Sequence, residues 1–121
     1  PVLNGPAATV TAPYGVSMRD GVEQINGQWF TKFIVGPVFT DIEGGETAAE
    51  QETAYRAGVD AEVAARVRRE RNKKLADSDW TQLADSSADT ASWATYRGAL
   101  RDLPSTEGFP HNVTWPTEPT T

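Results

Sequence analysis

Alternation of apolar and polar residues is clearest between Val22 and Val35, where Val22-Glu-Gln-Ile25 and Gln28-Trp-Phe-Thr-Lys-Phe-Ile-Val35 flank Asn26-Gly27. That dipeptide accepts the positive φ angles of a type I′ turn, so the pattern predicts a β-hairpin. Trp29, Thr31, Phe33 and Val35 fall on one face, and Phe30, Lys32 and Ile34 on the other. Apolar rings on both faces predict a strand covered on two sides, or one with a face turned to a partner. Gly36-Pro37 ends the ladder, and Val38-Phe-Thr-Asp-Ile42 predicts a third short strand. Before the hairpin, prolines at 1, 6 and 13 and glycines at 5 and 15 predict that Pro1 to Arg19 is an extended arm or an edge-strand segment.

The period then changes to that of a helix. Thr47-Ala-Ala-Glu50 has the capping-box pattern, and from Ala48 to about Ala76 there is no proline and one glycine, Gly58, the expected place of a bend or break. Tyr55, Val59, Val63 and Val67 step by four residues, a stripe that drifts by roughly 40° per step without sustained heptads. Such a helix is expected to lie against the hairpin or a partner. Asp77-Ser-Asp79 closes it, and a loop anchored by Trp80 and Leu83 leads to Asp89 or Thr90. Trp93, Tyr96, Leu100 and Leu103 sit at i, i+3, i+7 and i+10 of a second helix over about Ala91–Leu103, which Pro104 terminates. The prolines at 104, 110, 116 and 119 favour an extended, polyproline-like tail. The fold class read from these patterns is α+β, with an arm and β-hairpin over residues 1–45. A helical hairpin, its shorter helix packed back on the longer, and a Pro-rich C-terminal tail follow over 46–121.

Composition narrows the chemistry. With no cysteine, a disulfide scaffold, a thiolate metal site and a cysteine nucleophile are all excluded. No apolar run approaches the ~20 residues of a membrane-spanning helix, so no membrane partner is expected. Nor does the start, Pro1-Val-Leu-Asn, resemble an export signal; an initiator Met removed ahead of Pro1 is the expected explanation. The net charge of -6 is uneven, because Arg66 to Lys74 holds six of the eleven basic residues and one acid, Glu70. Glu62–Arg66 and Glu70–Lys74 are spaced as acid-before-base helix pairs, and no aromatic residue lies among these cations to stack on a base. A solvated face, or a docking site for an acidic neighbour, is therefore expected there rather than a nucleic-acid site.

A longer signature gathers in the C-terminal part: the basic helix end from Arg68 to Leu75, Asp79-Trp80-Thr81-Gln82, Asp85, Trp93-x-x-Tyr96-Arg97-x-x-Leu100-Arg101-Asp102, Gly108-Phe109-Pro110 and Trp115-Pro116. As a set it resembles the phage tail assembly chaperone-like domain over about residues 66–116. The resemblance implies a non-enzymatic phage tail component, made in the host cytoplasm and located in the virion tail. It implies a structural subunit at the tail fibre or baseplate, docked through its arm, hairpin and tail to fibre, baseplate or tube proteins and oligomeric within that assembly. The alternative it implies is a transient assembly chaperone that shields a fibre or tube subunit and is absent from the mature particle.

Trp80, Trp93, Tyr96, Phe109, Pro110, Trp115 and Pro116 are the candidate partner-binding residues, set against a local core in which Trp80 and the Trp115-Pro116 tail clamp the second helix. Trp115, late in the tail, is the expected exposed anchor. Arg97 and Arg101, one turn apart beyond Trp93, either bind an acidic partner or pair with Asp77, Asp79, Asp85 or Asp102. No cofactor or metal and no catalytic residue is expected: His111 is the single histidine, no spacing selects a carboxylate pair among the seventeen acids, and Gly44-Gly45 lacks the context of a phosphate loop.

Overall fold

A computed structural model describes residues 1–120. The chain is α+β, with a three-stranded sheet and two helices, and it divides into two compact units, residues 1–59 and the remainder from Asp60.

In the first unit, β1 (Val2–Leu3), β2 (Val16–Ile25) and β3 (Gln28–Gly36) form a sheet of order β1-β3-β2. Asn26 and Gly27 take φ of 49° and 81°, the expected turn, and β2 and β3 pair antiparallel from Ile25↔Gln28 to Val16↔Gly36. The hairpin is longer than its alternation suggests. Gly21, at φ 73°, sits in a bulge between Arg19 and Val22, and this extra residue breaks the period that would otherwise mark Val16–Arg19 as strand. Val38–Ile42 is not a strand. The third strand is Val2–Leu3, parallel to β3 with Val2 opposite Trp29 and Leu3 opposite Phe30.

The capping box forms: Glu50 N–H donates to Thr47 Oγ1 (3.2 Å) and Thr47 N–H to Glu50 Oε1 (3.3 Å). It starts α1 (Ala48–Asp77), thirty residues that pass Gly58 without a break, so the good helix formers around that glycine outweigh its entropic cost of about 1 kcal/mol. The N-terminal turns of α1 belong to the first unit. There Tyr55 O–H donates to the Tyr14 carbonyl (2.8 Å), the Phe39 and Tyr55 rings lie 5.7 Å apart, and the Arg56 guanidinium covers Tyr14.

The second unit holds the rest of α1, a 3-10 turn over Asp79–Gln82, α2 (Thr90–Asp102) and a second 3-10 turn over Leu103–Ser105. Asp89 caps α2 by accepting from Ser92 Oγ (2.7 Å) and Ser92 N–H (3.4 Å). Among the described residues every buried large hydrophobic lies in this unit: Val67, Trp93, Tyr96, Leu100 and Leu103. The sheet, by contrast, leaves Val2, Leu3, Val16, Met18, Val22, Ile25, Trp29 and Val35 exposed. No helix among the described residues is long and apolar enough to cross a membrane.

Candidate functional site

The stripe read from α2 builds the core of the second unit. Trp93 and Tyr96 meet edge-to-face, with centroids 5.5 Å apart at 89°, and Leu100 beneath them is fully buried; Leu75, Ala88 and Trp115 pack around the three. Trp80 leans on Trp93 at 6.4 Å with one side of its ring, and remains 47% exposed. The Trp93 indole N–H is buried without an acceptor among the described residues.

Arg97 ties this core to the end of α1. Its Nη1 donates to the Leu75 carbonyl (2.6 Å) and to Ser78 Oγ (2.7 Å), and its Nη2 to Asp79 Oδ1 (2.6 Å). The last carbonyls of a helix have no intrahelical donor and carry partial negative charge, so a guanidinium fork is suited to them. Ser78 Oγ adds bonds to the Lys74 and Leu75 carbonyls, and the fully buried Thr81 hydroxyl donates to the Ser78 carbonyl (2.6 Å). Of the two readings of Arg97, the structure shows the pairing with Asp79. Arg101 separates from it: Arg97 is buried and Arg101 is exposed.

Beyond α2 the chain returns to α1. Arg68 lies over the Phe109 ring (5.1 Å), His111 Nε2 contacts Asp60 Oδ1 (2.5 Å), and Lys74 lies over Trp115 (5.4 Å). Phe109, Pro110, Trp115 and Pro116 are all half-buried. The expected exposed anchor, Trp115, is thus folded against the core because α1 presents Lys74 and Leu75 to it. Among the described residues the exposed large hydrophobics of the unit are instead Trp80 and Leu83, the latter 58% exposed. Burial pushes the Tyr96 phenol above its ordinary value, and the nearby Glu118 carboxylate adds to the effect.

The basic run is used differently from its i, i+4 spacing. Lys73 pairs with Asp77 (2.7 Å), Arg71 donates to the Asn72 side chain, and Arg68 and Lys74 cover rings; no Glu62–Arg66 or Glu70–Lys74 pair forms among the described residues. Composition does not reveal that Ser78 and Thr81 are buried. The one local signal is their spacing of three, which a 3-10 turn eclipses. Among the described residues no group of three or more His, Asp or Glu side chains is placed to hold a metal ion.

The second unit is therefore a small helical module, its helix ends and returning segment locked by aromatic and guanidinium contacts, with one apolar spot left to solvent. Residues 64–120, which begin within α1 and run through that returning segment, match the model of the phage tail assembly chaperone protein family. The match makes this part of the chain similar to that family and supports a phage-tail-related role. No curated protein and no solved structure matches the chain.

Proposed function

We propose that this chain is a tail assembly chaperone of a bacteriophage, a binding protein without catalysis that shields a fibre or tube subunit until it is incorporated. The observation that carries this reading is the family match, which spans α2, both 3-10 turns and the returning segment as one unit. A net charge of -6 and a half-exposed, preorganised indole at Trp80 suit reversible capture of another tail protein. A second reading, a resident structural subunit at the fibre or baseplate, draws support from the first unit, which lies outside the match and exposes apolar side chains on both faces of its sheet.

Mass spectrometry of purified virions, with copies counted against the tail-tube protein, separates the two. A chain abundant in infected cells and absent from particles is the expected result. Stoichiometric presence in the particle makes the resident subunit the correct reading instead. Turnover of cell-wall or capsular glycan by the purified chain, abolished by substituting one carboxylate, would overturn both.

A further inference from the structure

Two exposed surfaces of the second unit differ in charge and character. The first is the loop between the helices. From Leu75 to Tyr96 the sequence carries four aspartates and no lysine or arginine; Asp77 pairs with Lys73, Asp79 with Arg97, and Asp89 caps α2, which leaves Asp85 without an ion pair among the described residues. Within it the 3-10 turn places Thr81 inward and Trp80 and Leu83, three residues apart, on one outward side. Asp85, two residues beyond Leu83, is exposed, and the Asp79 side chain remains 68% exposed despite its bond to Arg97. An indole braced by Trp93, with an exposed leucine three residues on, has the make-up of an interface anchor.

The second surface lies on α1. Arg66 and Arg69 are exposed, one turn apart, and make no hydrogen bond, ion pair or ring contact with another described residue. They stand in the stretch of six cations and one acid. Guanidinium groups lie readily on the face of an indole and accept carboxylates in a fork.

We propose that two copies of this chain associate through these surfaces, the Trp80–Leu83–Asp85 loop of one copy seating on the Arg66–Arg69 face of the other. The choice of a second copy rests on charge complementarity carried by the chain itself: the exposed Asp85 and the largely exposed Asp79 accompany the apolar anchors of the loop, and Arg66 and Arg69 have no partner among the described residues. It does not depend on the phage-tail reading, and it is measured with the purified chain alone.

Sedimentation velocity of the full chain at low ionic strength is expected to show reversible self-association that high salt dissolves. Leu83→Arg with Asp85→Arg, and separately Arg66→Glu with Arg69→Glu, change only exposed side chains; circular dichroism checks that each variant is folded. Either pair of substitutions is expected to raise the dissociation constant about tenfold or more. An equimolar mixture of the two variants is expected to associate again, because each then meets a surface of opposite sign. A wild-type chain that remains monomeric at low salt, an association indifferent to salt, or a mixture that fails to recover overturns the proposal.

Discussion

Arg97 does more for the second unit than its position on a helix surface suggests. One guanidinium satisfies the Leu75 carbonyl, the Ser78 hydroxyl and Asp79, while its own Nε is buried without an acceptor. Lysine carries the charge without the fork, so Arg97→Lys is expected to lower stability by about 1–3 kcal/mol, read from urea denaturation. Arg101→Lys, on the exposed side, is expected to change it by less than about 0.5 kcal/mol. Tyr96 supplies a pH signature. Its phenol is held above the ordinary value of 10.0, chiefly by burial, so the unfolded chain loses the proton first as pH rises. The associated stability is fully present below the unfolded value and is lost as pH climbs through the folded one. Alkaline titration of the melting temperature is expected to fall above about pH 10, and Tyr96→Phe to flatten that slope.

Elements were legible in proportion to how local their causes are. The Asn26-Gly27 turn, the Thr47–Glu50 capping box and the Trp93–Tyr96–Leu100–Leu103 stripe each arise from residues close in sequence, and each appears where its pattern places it. The start of β2 was hidden by a one-residue bulge, and β1 by its length of two residues. The place of Trp115 was hidden for a different reason: it is set by Lys74 and the α2 core, contacts distant in sequence. The two exposed-or-buried tryptophans test this contrast. Trp115→Ala is expected to destabilise the second unit by about 2 kcal/mol or more, and Trp80→Ala by clearly less, since half of its ring already faces water. Equal losses in thermal melts would remove the distinction. At Leu100, buried on every side, truncation to alanine is expected to cost about 2–5 kcal/mol.

At the scale of the molecule, apolar burial is concentrated in one unit, while the sheet is held by its ladder and by bonds such as Gly5 N–H to Thr31 Oγ1 (2.8 Å). Local stability follows buried apolar contact, so hydrogen exchange is expected to be slowest in α2 and the last turns of α1, and faster in β2 and β3. Protection that is uniform along the chain would contradict this.

The return of the chain to α1 also orders events during synthesis. Trp93 and Tyr96 leave the ribosome before Trp115, the residue that closes over them beside Leu75. The aromatic cluster of α2 is therefore complete only once Trp115 has been made.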